Sequence, residues 1–194
     1  MLGLVLCGGK STRMGNDKGL LKLEAKTWAQ TAVDKLSELK IPVKISVNKD
    51  QHESYAAVFP IDALVVDNEM LKVKGPLLGL LSAHVTCRDE DVFVLACDLP
   101  LMETSILREL LFLYHHYSSG DAFVFVNEGQ PEPLCGIYTR KCLANILDRF
   151  REGQLEKYSM KYVLENVHTR SITASEDQKK SFRNFNAHAE LNGL

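Results

Sequence analysis

Two runs of apolar residues, Leu2–Leu6 (LGLVL) and Val92–Ala96 (VFVLA), contain no polar side chain. A strand with one face in water alternates between apolar and polar residues, so an unbroken apolar run is typical of a strand that helices cover on both faces. Residues 41–47 and 63–66 show the same pattern less cleanly. We therefore predict four central strands, in a sheet with helices above and below it.

Helical patterns separate these strands. Apolar residues recur at helical spacing in 28–39, in 77–85 and in 106–117, the last after the expected cap Thr104. Alternating strands and helices predict an α/β fold with a mostly parallel sheet. After Gly120, strands at 122–126 and 133–138, separated by a turn-rich stretch at 127–131, predict an antiparallel pair and hence a mixed sheet. The remaining predictions are helices at 141–151, 158–165 and 187–191, a strand at 167–173 and an exposed segment at 176–183.

The length and composition limit the number of domains, the partners and the location. A chain of 194 residues that is 45% apolar fits one hydrophobic core, so we expect a single domain over residues 1–194. Its 23 basic and 25 acidic side chains nearly cancel, which argues against nucleic acid or an anionic membrane as a partner. Five cysteines without a C-x-x-C pair argue against a disulfide framework or a structural zinc site. The apolar start is too short for a signal peptide or a membrane span, so we expect a cytoplasmic protein.

The segment LCGGKSTRMGNDKGLL, residues 6–21, follows the first predicted strand. Gly8 and Gly9 allow backbone N–H groups to close on a polyphosphate, while Lys10, Arg13 and Lys18 can neutralise its oxygens. Neither G-x-x-x-x-G-K-[ST] nor G-x-G-x-x-G fits, so the loop is not of the Walker A or dinucleotide-binding type. The alternative is a glycine-rich surface turn with solvated cations. Phosphate binding is favoured because the glycines and cations coincide after a buried strand, where open α/β sheets bind ligands.

Asp98 comes shortly after the apolar run Val92–Ala96, in CDLP. The carboxyl ends of parallel strands meet at one edge of a sheet, so we expect Asp98 to face the same crevice as the glycine loop. Transfer of a nucleotidyl group builds negative charge on phosphate oxygens, which a hard cation on a carboxylate would offset. We therefore predict that Asp98 is a metal ligand, and the alternative is a local cap of the turn that Pro100 closes.

These residues lie in motifs that resemble those of the molybdenum cofactor guanylyltransferases, a branch of the nucleotide-diphospho-sugar transferase superfamily. The family's L-A-G-G-x-S-x-R-M-G-x-D-K-x-L-L appears here as LCGGKSTRMGNDKGLL, its G-P-L-x-G as GPLLG at 75–79, and its C-D-x-P as CDLP at 97–100. A late N-x-N appears as NFN at 184–186. The resemblance runs along the whole chain and implies a three-layer α/β/α, Rossmann-like fold of the GT-A type.

The resemblance also implies an activity. GTP and the molybdopterin cofactor would be joined with release of pyrophosphate, leaving the guanine dinucleotide form of the cofactor. Mg²⁺ would be required, and molybdoenzyme apoproteins or their chaperones would be later partners. The N-terminal half would bind the nucleotide, and the C-terminal half would contribute the pterin side. Carried over position by position, the nucleotide contacts are Leu6, Cys7, Gly8, Gly9, Lys18, Asn48, Asp67 and Asp98. The catalytic residues are Arg13, Lys18 and Asp98, the metal ligands are Asp98 and Asn186, and the pterin-side residues are Arg13, Gly15 and Asn184.

Several alternatives stay open at the level of sequence. Asn48 and Asp67 follow predicted strands, where polar side chains commonly cap or turn the backbone. A structural role is therefore as good an interpretation for them as contact with the nucleotide. Ala187 and His188 replace the family's Thr-Pro after the final Asn, which weakens the assignment of residues to the pterin side. The loop would contact the phosphates and would not distinguish one base from another. A cytidylyltransferase of the same cofactor or a sugar-phosphate nucleotidyltransferase is therefore an alternative. A non-catalytic module that binds nucleotide and delivers cofactor is another, and it would need the loop but no metal site.

Overall fold

The computed structural model describes residues 1–8, 17–23, 25–117 and 119–185. Within these ranges the strands are β1 (Leu2–Leu6), β2 (Lys22–Leu23), β3 (Lys26–Thr27), β4 (Val43–Val47), β5 (Leu64–Val66), β6 (Val92–Ala96), β7 (Ala122–Asn127), β8 (Gln130–Tyr138) and β9 (Thr169–Thr173). Seven of them form one mixed sheet in the order β5-β4-β1-β6-β8-β7-β9, and β2 and β3 form a small antiparallel hairpin.

The parallel half of the sheet is the part that the apolar runs predict. β1 pairs in parallel with β4 on one side and with β6 on the other, so that Leu6 lies opposite both Ser46 and Ala96. β5 extends this half by pairing in parallel with β4. Every residue of β1 and β6 is buried. The four predicted central strands are confirmed, although β4 and β5 begin slightly later in the chain, at Val43 and Leu64.

The other half of the sheet contains the antiparallel pair that the sequence predicts, with a register shift between Val124 and Val126 of β7. β8 pairs antiparallel with both β6 and β7, and β9 adds in parallel to β7. The turn between β7 and β8 consists of Glu128 and Gly129, whose φ angles are 51° and 75°. Two consecutive positive φ angles are typical of the tight hairpin turn that matches the twist of the strands. The turn lies within the predicted stretch 127–131, but that stretch was predicted too long, because a two-residue turn allows β8 to start at Gln130.

Helices cover both faces of the sheet, as the α/β prediction requires. One face carries α1 (Trp28–Ser37), α2 (His52–Ala56) and α4 (Thr104–His116). The other carries α3 (Pro76–Thr86), α5 (Arg140–Arg151) and α6 (Met160–Glu165). Alternate residues of one strand serve the two cores: Val5 packs with α1 and α4, while Leu4 packs with α3 and α5. All five cysteines are free thiols.

The GPLLG segment, residues 75–79, forms the start of α3, and its two glycines and its proline each have a structural role there. Gly75 precedes the helix with a φ of 68°, a conformation that suits glycine, and Pro76 occupies the first turn of the helix. One turn later, a Cβ on Gly79 would lie 2.3 Å from Oγ of Ser46 and 3.0 Å from Leu6. Glycine at this position therefore allows α3 to pack closely on β1 and β4, with its N-terminus at the carboxyl edge of the sheet.

Some predictions of local structure need correction. The N-cap of α4 is Glu103 and not Thr104, and Glu103 makes no side-chain capping bond. Residues 176–182, predicted as part of an exposed segment, form a 3-10 helix whose Phe182 is buried against Phe125. The charged residues before it concealed this buried end. α2 and the β2–β3 hairpin gave no signal because they are too short for a periodic pattern, and the predicted helix at 187–191 lies outside the described residues. No helix in the described ranges is long and apolar enough to cross a bilayer.

Candidate active site

A cavity of about 290 Å³ opens at the carboxyl edge of β1 and β6. The residues from the sequence prediction that line it are Leu6, Cys7, Gly8, Lys18 and Asp98. The rest of its wall comes from Asp17, Gln51, Gly75, Pro76, Ala96, Cys97 and Leu134. The glycine loop and the carboxylate after β6 therefore share one crevice, although they are far apart in the sequence.

The pairing of β1 with its neighbours explains why these segments meet. Beyond the last paired residues, the N–H of Cys97 donates to the carbonyl of Leu6 at 3.2 Å. On the other side, the N–H of Cys7 donates to the carbonyl of Ser46 at 3.0 Å. Because the ladder continues to the ends of the strands, Gly8 and Asp98 leave the sheet next to each other.

Lys18 brings a positive charge to this edge. It begins a short 3-10 turn, Lys18–Leu20, which Asp17 caps by accepting the N–H of Gly19 at 2.9 Å. Nζ of Lys18 lies 3.9 Å from Oδ2 of Asp98, and the two side chains are 32% and 26% exposed. A charged hydrogen bond would be about 2.8 Å long, so this is a looser ion pair. Both charged groups remain accessible from the cavity.

The carboxyl group of Asp98 is only partly satisfied. Its Oδ1 atom is buried and has no hydrogen-bond partner among the described residues. Burial raises the pKa of Asp98, while the Lys18 ammonium and a backbone N–H oppose the rise. Leaving a buried acceptor without a partner costs about 1–3 kcal/mol. Such an atom in a native protein indicates a place that a water, an ion or a substrate completes.

The donor set around Asp98 fits a hard cation that shares its coordination with a substrate. In the part of the chain that the structure describes, no three His, Cys, Asp or Glu side chains are grouped to hold a metal ion. Mg²⁺ does not need such a group, because it commonly binds through one or two carboxylates together with phosphate oxygens and water. The buried Oδ1 of Asp98 is an oxygen donor of the kind that such a cation binds.

The C-terminal segment returns to the Asp98 loop. The N–H of Phe185 donates to the carbonyl of Asp98 at 3.0 Å, and the Phe185 ring is fully buried. The Arg183 guanidinium lies 5.0 Å from the centre of that ring. Asn184, a predicted pterin-side residue, is exposed beside it. Asn186, the predicted second metal ligand, lies outside the described residues.

Asp67 follows β5 and lies beside the glycine loop. A Cβ on Gly8 would come within 3.6 Å of its Oδ2, and Oγ of Ser46 donates to its Oδ1 at 3.4 Å. Burial raises the pKa of Asp67 to about 6, although the hydrogen bond from Ser46 opposes the rise. Asp67 therefore shares the edge of the sheet with the loop, but it is not among the residues that line the cavity.

Asn48 is engaged with Gln51. Its side-chain oxygen accepts the N–H of Gln51 at 3.0 Å, and its own N–H donates to Oε1 of Gln51 at 2.9 Å. This reciprocal pair ties the end of β4 to the start of α2. The capping alternative therefore accounts for the Asn48 side-chain oxygen, and the contact of Asn48 with a nucleotide stays a prediction.

Three predicted residues of the glycine loop, Gly9, Arg13 and Gly15, lie outside the described residues. The described residues on either side of them, Gly8 and Asp17, both line the cavity. The roles of the three residues stay predictions from the sequence.

Seven residues that line the cavity were not predicted from the sequence: Asp17, Gln51, Gly75, Pro76, Ala96, Cys97 and Leu134. Asp17, Gly75, Pro76 and Cys97 lie inside the quoted motifs, in which only some positions were assigned a role. Gln51 lies in a segment without a motif, and only the fold brings it to the cavity.

The chain is similar to proteins of one known family. Residues 3–169 match the family model described as MobA-like NTP transferase domain. A protein from Campylobacter jejuni named molybdenum cofactor guanylyltransferase is 30% identical over 188 residues, which cover 96% of this chain and 91% of that protein.

Two solved structures share the fold. Molybdopterin-guanine dinucleotide biosynthesis protein A from Archaeoglobus fulgidus has a TM-score of 0.78 at 21% identity and covers 100% of this chain and 96% of its own. The 4-diphosphocytidyl-2C-methyl-D-erythritol synthase from Anaerococcus prevotii has a TM-score of 0.70 at 8% identity, over 99% and 92% of the two chains. At such identities the likeness concerns the fold alone, and the predicted GT-A-like α/β fold is confirmed.

Proposed function

The chain belongs to the family of MobA-like NTP transferase domains, and on that premise we propose that it transfers GMP from GTP to the molybdopterin cofactor. Pyrophosphate is released and the guanine dinucleotide cofactor is formed. The name of the Campylobacter jejuni relative supports the choice of substrates. The observation that carries the proposal is the ion pair of Lys18 and Asp98, 3.9 Å apart, in a cavity lined by the start of the glycine loop.

The reaction is an in-line displacement at phosphorus. A terminal phosphate oxygen of the pterin forms a bond to the α-phosphorus of GTP, while the bond from that phosphorus to the departing pyrophosphate breaks. The nucleophile is already an anion, so no general base is needed. Catalysis then consists of positioning and electrostatic stabilisation, which suits a cavity lined by Lys18 and by Gly8 at the start of the glycine loop.

Lys18 and Gly8 are the described residues for the phosphate chain. Gly8 has no Cβ, which lets a phosphate approach the backbone at the end of β1. Lys18 places a compact charge where the departing pyrophosphate becomes more negative. Arg13, outside the described residues, would add a second cation. Leu6, Cys7, Gly9, Asn48 and Asp67 complete the predicted nucleotide contacts, and Gly15 and Asn184 belong to the pterin side.

Asp98 is proposed to hold Mg²⁺ through its buried Oδ1, together with Asn186. When bound, the metal offsets the negative charge that builds on the α-phosphate and the pyrophosphate. The raised pKa of Asp98 supports this role, because an oxygen that is poorly stabilised in the free protein gains from a cation.

The remaining parts of the proposal concern the chain as a whole. One sheet extends from β5 to β9, so we propose that residues 1–194 act as a single nucleotidyltransferase domain. The five free thiols are compatible with a reducing compartment, and we propose the cytoplasm as the location.

A pyrophosphate-release assay with the molybdopterin cofactor tests the proposal. We expect turnover with GTP and Mg²⁺, and much less with CTP or without the metal. Asp98→Ala should lower the rate about 10²–10³-fold, the usual cost of losing one electrostatic group in such a site. Asp89→Ala is the matched control, because Asp89 is an exposed carboxylate before β6, at the opposite edge of the sheet.

Four outcomes would contradict the proposal in different ways. Preference for CTP would favour a cytidylyltransferase, and turnover with a sugar phosphate in place of the pterin would favour that class of acceptor. Nucleotide binding without pyrophosphate release would favour the non-catalytic delivery module. Full activity of Asp98→Ala would remove Asp98 from the metal site.

A further inference from the structure

Asp17 is held by three hydrogen-bond donors. Its Oδ1 accepts from the Tyr55 hydroxyl and from the N–H of Gly19, both at 2.9 Å. Its Oδ2 accepts from the side-chain amide of Gln51. Two of these donors come from the N-cap and the body of α2 and the third from the turn itself, and a carboxylate with three donors has one favoured orientation. The turn Lys18–Leu20, which Asp17 caps, takes its orientation from this carboxylate.

Gln51 connects this carboxylate to the ends of two strands. Its amide nitrogen also donates to the carbonyl of Cys7 at 3.0 Å, and its amide oxygen accepts the N–H of Asn48 at 2.9 Å. Cys7 follows β1 and Asn48 follows β4. The side-chain amide of Gln51 therefore anchors the turn to the edge of the sheet at which the cavity opens.

Tyr55 and Gly19 leave the turn little freedom to shift. Tyr55 is fully buried, and a Cβ on Gly19 would lie 2.1 Å from its hydroxyl oxygen. Just after the turn, the carbonyl of Leu21 accepts the N–H of Trp28, the first residue of α1, at 2.9 Å. The backbone of the turn is thus held at both ends.

Lys18 lies between two of these fixed points, Asp17 and Gly19. A lysine side chain carries about 2 kcal/mol of rotamer entropy, so its approach to a phosphate depends on the backbone from which it starts. We propose that Asp17 is a positioning residue for Lys18, oriented by Gln51 and Tyr55, so that the Lys18 ammonium meets the triphosphate in the cavity. This inference rests on the proposed function and adds to it a hydrogen-bond network that acts through Lys18.

The first test is Asp17→Asn, which keeps the size of the side chain. The new amide places an N–H group where Gln51 donates, or, if it flips, where Tyr55 and Gly19 donate. A misplacement of about 1 Å can cost about 10²-fold in rate, so we expect kcat for guanylyl transfer to fall about 10- to 100-fold. The KM for the pterin should stay within a few-fold of the wild-type value. Tyr55→Phe, which removes one donor and keeps the ring, should lower kcat less.

A control variant separates positioning from simple loss of stability. Thr139 caps α5 by accepting the N–H of Cys142 at 3.1 Å, and it precedes a helix that does not line the cavity. Thr139→Ala should lower the thermal midpoint while leaving kcat unchanged. If Thr139→Ala lowered kcat as much as Asp17→Asn does, the loss would reflect stability and the inference would be overturned.

A double-mutant cycle tests the dependence on Lys18. Residues that act through one another give non-additive effects. Asp17→Asn should therefore cause little further loss of kcat in a protein that already carries Lys18→Ala. Losses that multiply in the double variant would mean that Asp17 acts independently of Lys18, and the inference would fail.

Binding of inorganic tripolyphosphate with Mg²⁺, measured by calorimetry, separates this inference from the proposed function. The binding of tripolyphosphate requires neither the guanine base nor the pterin. Asp17→Asn and Lys18→Ala should each weaken binding about 10-fold or more, without adding in the double variant. If this pattern held while no protein transferred GMP, the inference would stand and the proposed function would fall. If Asp17→Asn bound like the wild type, or if the wild type did not bind at all, the inference would be overturned.

Discussion

Replacing Asp67 by Asn should stabilise the protein at neutral pH, although Asp67 is a predicted nucleotide contact. Burial raises the pKa of Asp67 from 3.8 to about 6, which means that the folded protein tolerates the charged carboxylate poorly. Asn has nearly the same shape, and its oxygen can keep the hydrogen bond from Ser46, which is 3.4 Å long. The substitution therefore removes the penalty of a buried charge and keeps the contact.

The size of the effect follows from the two pKa values. At about 1.36 kcal/mol for each pKa unit, the difference between 3.8 and about 6 corresponds to about 3 kcal/mol. Asp67 is only partly buried, and solvent screening reduces the gain in the free energy of unfolding to about 1–2 kcal/mol. A folded-state pKa above the unfolded value means that the contribution of Asp67 to stability is complete below the unfolded pKa. It is lost as the pH rises through about 6.

Urea unfolding of the two proteins at several pH values is the assay. Near pH 7.5 the free energy of unfolding of Asp67→Asn should exceed that of the wild type by the full gain of about 1–2 kcal/mol. Near pH 5 the difference should be roughly half as large. Titrations that both proteins share cancel in the difference. Asp50→Asn, an exposed carboxylate after β4, is the control and should show no such dependence. A variant that is less stable than the wild type, or a gain that does not change with pH, would refute the reasoning.

Two further predictions concern packing and acid stability. Gly19→Ala should lower the free energy of unfolding by about 1–3 kcal/mol in chemical denaturation, because its Cβ would overlap the buried Tyr55 hydroxyl at 2.1 Å; an unchanged midpoint would show that the turn can move. Burial and the nearby Arg88 lower the pKa of His84 below 6.5, while Asp148 opposes this. The stability that depends on neutral His84 is therefore present above about pH 6.5 and is lost as the pH falls. His84→Leu should remove this loss between about pH 7 and 5, and an equal slope in both proteins would contradict it.

The central half of the fold could be read from the sequence because its strands are covered on both faces. The two innermost of these strands, Leu2–Leu6 and Val92–Ala96, carry no polar side chain, which is the pattern expected of a strand that is buried on both faces. The β7–β8 turn could not be read in the same way. The stretch NEGQP contains turn residues throughout, and only the pairing of β7 with β8 selects Glu128 and Gly129 for the two positive φ angles.

The candidate site likewise contains residues that the sequence predicts and residues that only the fold brings there. Gly8, Lys18 and Asp98 could be assigned to one crevice in advance, because the order of strands and loops along the chain sends the ends of parallel strands to one edge. Gln51 could not be assigned, since its neighbours in the sequence carry no motif. Its partners Cys7 and Asp17 come from other segments of the chain.

By itself the amino-acid sequence determined the four central strands, the side of the sheet that carries the chemistry, and the family motifs, because each depends on residues close together in the chain. The tertiary structure alone decided which donors hold Asp17, how close Lys18 comes to Asp98, and why Asp67 is difficult to ionise. These properties depend on distances and burial between segments far apart in the chain, and hydrogen bonds and charges respond to changes in distance of less than 1 Å or so.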